Sequence, residues 1–239
     1  MAVSVFDLFK IGIGPSSSHT VGPMRAALMF ATDIESGGYM DRCSNLKVEL
    51  YGSLAATGAG HGSPKAILMG LEGESPATVD VDSILERITQ ARETSTIKLL
   101  GKKAIAFNFR DDLIMHRQES LPFHPNGMRF TAVTEDGQTL LSTTYFSVGG
   151  GFVINETASG EELLVENDDQ VPYPFKSADE LLQLCDETGL PISALILENE
   201  TTWNTKAEVQ SQLESIWQVM QDSIEKAVSP KVLCPAALK

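Results

Sequence analysis

The feature of this sequence that most limits its possible folds is a run of five strand-like segments between Lys103 and Ile154. Apolar and polar residues alternate along much of the run, as they do in strands that bury one face. The Asp136-Gly137 dipeptide between the third and fourth segments is a strong signal for a hairpin turn. The segments read KAIAFNF, DLIMHRQ, MRFTAVTED, QTLLSTTYFSV and GFVINET. Helical patterns precede and follow this run, so we predict an α+β fold.

The residues before this run predict a short helix or strand at VSVFDLFKIG, followed by three longer helices and one strand. The first helix has Pro23 among its early residues, and Leu46–Gly52 alternates like a half-buried strand. The next segment, SLAATGAGHG, is rich in glycine and is interpreted as a loop. A second helix is expected to start with Ser63 as its N-cap and Pro64 at its first position. The third helical pattern reads VDSILERITQARET.

The remaining residues predict a helical extension. An acidic segment with prolines at 156–176 is interpreted as a surface excursion that separates a domain at 1–155 from helices at 177–228. Residues 229–239 resemble an interdomain linker that is cut before the next domain.

Each helix of the extension has a candidate cap, and the last one has an apolar stripe. The predicted caps are Ser177, then Pro191 or Ser193, then Asn204 or Thr205. A stripe of this kind is typical of a core or a domain contact. Its residues are Val209, Leu213, Ile216, Trp217, Met220 and Ile224.

Charge and cysteine content narrow the class of protein. The 239-residue chain has a net charge of -14, which argues against nucleic acid or an anionic membrane as the main partner. No apolar run approaches the roughly 20 residues that span a bilayer. Cys43, Cys185 and Cys234 are odd in number and lack zinc-like spacing, so a reduced, cytoplasmic location is expected.

The segment GPSSSHTVGP places three serines and His19 directly before a helical pattern. Hydroxyl side chains beside a helix N-terminus suit a small carboxylate, because unpaired N–H groups and the helix dipole both favour an anion there. Helix capping is the simpler alternative, although capping needs only one or two such residues. The residues alone leave both explanations open.

A second polar motif, TGAGHGSP, places His61 between glycines. Gly58, Gly60 and Gly62 would allow the backbone to approach a ligand closely. A position just outside a helix N-terminus would favour the neutral imidazole. The alternatives are a tight turn with an incidental histidine and a phosphate loop. The glycine spacing gives only a weak signal for a dinucleotide-binding loop.

Three further features are notable, and the two that contain a histidine are interpreted as structural. The glycines of Gly149–Gly151 indicate a bulge or a close approach to a ligand. His124-Pro125-Asn126-Gly127 is interpreted as a hairpin turn. His116 lies in a strand pattern and is taken as structural.

Together these segments resemble the β domain of bacterial iron–sulfur L-serine dehydratases, in the single-chain form. The resemblance is carried by GPSSSHTVGPMRAA, GSLAATGAGHGSPKAILMGLEG, HPNGMRF, YFSVGGGF and LLQLCDETGLPISALILENE, and it covers nearly the whole chain. It implies a mixed α/β domain, like the accessory substrate-binding domain of some phosphoglycerate dehydrogenases, followed by helices.

The resemblance implies an L-serine ammonia-lyase that forms pyruvate and ammonia, in amino-acid degradation and gluconeogenesis, without pyridoxal. A four-iron four-sulfur cluster is held in the family by three cysteines of a following α domain. This chain lacks that cysteine set, so it is interpreted as a fragment that binds no metal and is inactive alone. A homodimer is expected, because the missing α domain would leave apolar surface exposed.

The resemblance also gives roles to individual residues. His61 is assigned as the base for the Cα proton, and His19 as a second acid/base or an orienting group. The predicted substrate-binding residues are Ser16, Ser17, Ser18, Thr20, Gly60, Asn126 and Gly150. A module that binds serine or another carboxylate without chemistry, and a structural subunit of a two-chain enzyme, remain as alternatives.

Overall fold

The computed structural model describes residues 3–156 and 170–228. The described residues of Gly12–Val165 form one compact unit, and those of Met1–Ile11 and Glu166–Lys239 form a second. The boundary segment predicted at 156–176 lies mostly outside the described residues, as do the predicted linker at 229–239 and Cys234. The domain boundaries therefore stay predictions.

The described residues contain eight α-helices and seven strands. The helices are α1 (Val5–Leu8), α2 (Val21–Ser36), α3 (Gly52–His61), α4 (Ser63–Leu71), α5 (Ile84–Thr94), α6 (Ala178–Thr188), α7 (Ile192–Glu200) and α8 (Lys206–Val228). The strands are β1 (Asn45–Tyr51), β2 (Thr96–Leu99), β3 (Lys103–Ala106), β4 (Leu113–His116), β5 (Gly127–Val133), β6 (Thr139–Gly149) and β7 (Phe152–Asn155). Short 3₁₀ helices lie at Met40–Arg42 and Val81–Ser83.

The strands form one mixed sheet, and the predicted α+β class is confirmed. The order is β2-β3-β1-β5-β6-β7, and β4 also pairs with β1. β1 is parallel to β3 and β4 and antiparallel to β5. The hairpin predicted at Asp136-Gly137 joins the antiparallel strands β5 and β6, with Gly137 at a φ of +80°. The sequence analysis missed β2.

The core lies between one face of the sheet and the helices of the first unit. Leu46, Val48 and Leu50 alternate along β1 with side chains that solvent does not reach. α2 and α4 pack closely, since a Cβ added at Gly70 would lie 2.1 Å from the carbonyl oxygen of Met24. This packing sets the first turn of α2 against the end of α4.

The prediction of a glycine-rich loop at SLAATGAGHG is wrong, because this segment forms helix α3 (Gly52–His61). Leu54 and Ala55 are buried on its inner face. Gly58 is also buried, and a Cβ there would lie 2.7 Å from the Ser63 hydroxyl oxygen. Glycine costs about 1 kcal/mol relative to alanine inside a helix, a penalty that tertiary packing can override.

The hairpin turn predicted at His124–Gly127 is also wrong. A hairpin would pair β4 with β5, but each of these strands pairs with β1 instead. β4 lies parallel to β1 and β5 antiparallel to it, so the connecting residues cross the end of β1. The segment therefore lies beside the start of α3, where Pro125 accepts a hydrogen bond from the Ser53 amide at 2.9 Å.

Buried polar side chains organise the second unit. Glu200, only 2% exposed, accepts hydrogen bonds from the Ser4 hydroxyl and the Val5 amide, both at 2.7 Å. Asn199 likewise bonds the amide and the carbonyl of Tyr173. These contacts tie α1 and the segment before α6 to α7.

The predicted caps of the extension are confirmed, whereas most of the apolar stripe on its last helix lies outside the core. Ser177 accepts from the Glu180 amide, and Pro191 precedes α7. Thr205 and Glu208 form a reciprocal capping box at the start of α8. Of the α8 stripe, Val209 is buried, whereas the members that stand exposed are Leu213, Trp217, Met220 and Ile224. None of the described helices is long and apolar enough to cross a bilayer.

Candidate functional site

The SSSHT segment folds into a tight turn through its own hydrogen bonds. The carbonyl of Ser16 accepts from the amides of His19 and Thr20 and from the Thr20 hydroxyl, the last at 2.7 Å. Thr20 is the N-cap of α2 but makes no side-chain capping bond. The serine side chains therefore do not serve as a simple helix cap, and two of them turn towards His19.

His19 is the centre of a hydroxyl network. Its Nδ1 lies 2.9 Å from the Ser18 hydroxyl and 3.5 Å from that of Ser16. Its Nε2 lies 3.2 Å from the Ser53 hydroxyl and 3.1 Å from that of Thr57. The side chain is 8% exposed, so these hydroxyls replace water as partners of both ring nitrogens.

The partners of His19 favour one neutral tautomer. The Thr57 hydroxyl donates its single proton to the carbonyl of Ser53 at 3.0 Å, which leaves it an acceptor for His19 Nε2–H. His19 Nδ1 then accepts from the Ser18 hydroxyl. Burial lowers the pKa of His19, the nearby His61 lowers it further, and a hydrogen bond with Ser53 partly offsets both effects. These effects together favour the neutral form of His19.

His61 lies next to His19 and keeps one ring nitrogen for a ligand. The two ring centroids are 4.9 Å apart and the planes are tilted by 45°. His61 Nδ1 lies 2.9 Å from the carbonyl of Thr57, and because a carbonyl can only accept, Nδ1 carries the proton. Nε2 therefore holds the lone pair.

The local setting of His61 differs from the prediction. His61 is the last residue of α3, and only Gly62, with a φ of +89°, separates it from α4. It does not follow a strand. It lies at the carboxyl end of one helix and the amino end of the next, whose dipoles act on it in opposite senses. The helix-terminus argument for a neutral His61 therefore does not hold.

Ser53 and Thr57 are site residues that the sequence analysis missed. On helix α3 they are spaced at i and i+4 before His61 at i+8, so all three share one face. That spacing was visible in the sequence. The interpretation of this segment as a loop concealed it.

Ser63 has a different role from the predicted N-cap. Gly62 precedes α4, and no side chain caps that helix. The Ser63 side chain is fully buried, and its hydroxyl donates to the carbonyl of His19 at 2.7 Å. Ser63 therefore ties the start of α4 to the turn that carries His19.

The other predicted site residues lie on segments that border this centre. Gly60 is exposed on the last turn of α3, with open space where a Cβ would be. Gly150 lies in a turn between β6 and β7 whose three glycines all have positive φ. Arg25, one turn into α2, donates to the carbonyl of Gly151 at 2.9 Å, which holds that turn beside the start of α2. Ser17 contributes its carbonyl to the Gly22 amide.

Asn126 and His124 belong to the segment that crosses β1. The Asn126 side chain donates to the carbonyl of Ser147 at 3.1 Å, and its Oδ1 is buried without a partner among the described residues. The backbone amide of Asn126 donates to His124 Nδ1 at 3.1 Å. Burial lowers the pKa of His124. His124 therefore lies on the same segment as Pro125, whose carbonyl accepts from the Ser53 amide.

The described cysteines do not form a cluster site. Cys43 is fully buried in the core of the first unit, where burial raises its pKa, and Cys185 lies on α6 of the second unit. Among residues 3–156 and 170–228, no group of three or more His, Cys, Asp or Glu side chains is arranged to hold a metal ion.

The family model described as "Serine dehydratase beta chain" matches residues 4–158, a stretch that contains the whole His19–His61 centre. The chain belongs to this family. Similarity to curated serine dehydratases extends beyond that region. An L-serine dehydratase of Streptomyces coelicolor is 51% identical over 100% of this chain and 52% of its own length.

Further relatives give the same coverage. L-serine dehydratase 1 of Escherichia coli and an L-serine dehydratase of Haemophilus influenzae are each 42% identical over 99% of this chain and 52% of their own length. The chain therefore spans about half the length of the curated serine dehydratases that it matches.

Proposed function

We propose that this chain is the β portion of an L-serine dehydratase, in which it supplies a histidine base and hydroxyl groups to a site that the other half completes. The observation that carries the proposal is the contact between the ring of partly exposed His61 and that of buried, hydroxyl-bonded His19, in a member of the serine dehydratase beta chain family. The domain at 1–155 would bear this site, and 156–176, 177–228 and 229–239 would connect it to the other half.

In this proposal His61 removes the Cα proton of L-serine. Its Nε2 is the imidazole nitrogen of the pair with an uncommitted lone pair, since its Nδ1–H is held by Thr57. A general base must present such a lone pair to the proton that it takes. His19 has both nitrogens engaged by hydroxyls, which suits an orienting group that stays neutral and does not repel a protonated His61.

The hydroxyls around His19 would bind the charged groups of the substrate. Ser16 and Ser18 lie 3.1 Å apart at the entry to α2, where a carboxylate would meet donors and a favourable helix dipole. Ser17, Gly60, Asn126 and Gly150 border the same region and are proposed as further contacts. Thr20 would act through the turn, because its hydroxyl is bonded to Ser16.

Elimination of water from serine breaks the Cα–H and Cβ–O bonds, and the enamine that remains hydrolyses to pyruvate and ammonia. Hydroxide is a poor leaving group, so a Lewis acid is needed in addition to the base. A four-iron four-sulfur cluster on the other half would supply that Lewis acid. Cys43 and Cys185 lie in different units, so the described part of this chain offers no ligand set for it.

We also propose a cytoplasmic homodimer that associates through α8. The exposed residues of the α8 stripe have spacings of 4, 3 and 4 residues, which is a helix-pairing pattern; they are Leu213, Trp217, Met220 and Ile224. A two-fold axis between Trp217 and Met220 would set Ile224 against Leu213 of a second copy. It would also set Glu225 beside Gln212 rather than beside another Glu225. The stripe thus complements itself in an antiparallel pair.

The experiment that tests the proposal is a fusion in which this chain replaces the half that it matches in the S. coelicolor relative. Under anaerobic conditions we expect the fusion to form pyruvate from L-serine, as the intact relative would in parallel. The 239-residue chain alone should form none, because it lacks the Lewis acid. A folded fusion without turnover beside an active relative would contradict the proposal, as would turnover by the chain alone.

A further inference from the structure

His116 connects two segments of the first unit that both reach the histidine centre. It is the last residue of β4, and its Nε2 lies 3.1 Å from Oε1 of Glu49 on β1. Its ring stacks on Tyr51, with centroids 4.6 Å apart and planes within 10°. Its Nδ1 lies 3.5 Å from Oε1 of Glu119 in the segment that follows β4. One imidazole thus contacts the end of β1 and the start of the crossing segment.

The register of the sheet explains why these groups meet. Tyr51 lies opposite His116 in the β1–β4 pairing, and Glu49 lies opposite Arg129 in the β1–β5 pairing. The Arg129 guanidinium lies 5.7 Å from the centre of the Tyr51 ring, and Lys47 lies 3.3 Å from Glu49. The His116 ring is therefore held on one sheet face by an aromatic ring and a carboxylate.

The crossing segment is bonded to the residues that directly follow Tyr51. The Gly52 amide donates to the carbonyl of Glu119 at 2.7 Å, and the Ser53 amide donates to the carbonyl of Pro125 at 2.9 Å. A Cβ at Gly52 would lie 2.3 Å from the Pro125 oxygen, so this approach requires glycine. The segment 117–126 therefore fixes the backbone of Gly52 and Ser53.

Ser53 passes this constraint to the site, because its hydroxyl lies 3.2 Å from His19 Nε2. The contacts run from His116 to Glu119 and Tyr51, from these to Ser53, and from Ser53 to His19. The steps are an ion-pair contact between His116 and Glu119, a ring contact, hydrogen bonds, and the peptide links through Gly52.

We propose that His116 is a positioning residue, which with Glu49 and Tyr51 holds segment 117–126 against the start of α3 and so fixes Ser53 at the ring of His19. Its importance for catalysis rests on the function proposed above. The effect of His116 on the ring of His19 can be tested without measuring turnover.

The test is an NMR titration of the His19 ring in the 239-residue chain and in its variants. His116→Phe keeps a ring on Tyr51 but removes the bonds to Glu49 and Glu119. We expect the His19 ring signals and the pKa of His19 to shift, because displacement of Ser53 removes a hydrogen bond to the ring and changes the access of water to it. His116→Gln can still donate to Glu49 and should restore most of the original titration.

Glu49→Gln is a second test variant, since it weakens the contact between Glu49 and His116 without altering the histidine. If His116→Phe does not fold, the His19 titration of Glu49→Gln tests the proposal. Lys47→Gln is the matched control, because it removes a neighbour of Glu49 that does not touch His116. The proposal is overturned if the His19 titration stays at its original position in the folded variants, or if Lys47→Gln moves it equally. An inactive fusion protein with a responsive His19 would instead contradict only the proposed function.

Discussion

His19 has each ring nitrogen and its backbone carbonyl bonded to a hydroxyl, and this accounts for the cluster of serines and threonines around it. The hydroxyls come from the SSSHT turn before α2, from α3 and from the first residue of α4. Three elements therefore converge on one side chain. A hydroxyl can donate or accept, so this environment holds a neutral imidazole in one tautomer without placing a charge beside it.

The buried hydroxyl of Ser63 gives a prediction at this scale. Ser63→Ala should lower the free energy of unfolding by about 1–3 kcal/mol, because it leaves the His19 carbonyl buried without its partner. Ser36→Ala is the control, since that serine is exposed at the end of α2. Denaturant unfolding of both variants measures the difference. Equal stabilities for the two would mean that the Ser63–His19 bond contributes nothing measurable.

The sequence could identify the two histidines but not all of their partners. His19 and His61 lie in polar motifs that local composition makes conspicuous. Ser53 and Thr57 become partners of His19 only because the fold brings α3 beside the turn that precedes α2, which is a tertiary fact. Ser63 matched the pattern of an N-cap, yet its hydroxyl found a carbonyl 44 residues away in the chain.

Helix α3 shows how tertiary packing can reverse a local preference. Strand β5 (Gly127–Val133) was predictable because the alternation of its apolar residues agrees with the alternation of its burial. α3 contains Gly58 and Gly60, which disfavour helix and suggested a loop. The close contact between Gly58 and Ser63 leaves no room for a side chain at position 58. Packing of α3 on α4 therefore stabilises the helix.

Helix α8 gives a prediction at the element scale. Sedimentation of the 239-residue chain should show a dimer, because the exposed stripe of α8 is removed from water on pairing. The double variant with Trp217→Gln and Ile224→Gln should be monomeric. Ser215→Gln, on the opposite face of the same helix, should leave the dimer intact. A monomeric parent chain, or a double variant that still dimerises, would contradict the α8 interface.

Across the whole molecule, the site occupies the first unit, and the chain spans about half the length of its serine dehydratase relatives. Fold class and family could be inferred from sequence, because strand alternation and long motifs are local. The sheet order could not, because β4 and β5 both pair with β1 through contacts that local patterns do not encode. In the function proposed above, the paired histidines are the feature that connects this fold to a reaction.

The most direct measurement is anaerobic steady-state kinetics on L-serine, beside thermal unfolding, for His19→Ala and His61→Ala in the fusion with the other half of the S. coelicolor relative. Loss of a general base typically costs about 10²- to 10⁴-fold, so His61→Ala should reduce kcat by that amount while the fold persists. His19→Ala should also remove most turnover, since it releases the ring that orients the site. Near-normal turnover in both variants would contradict the account.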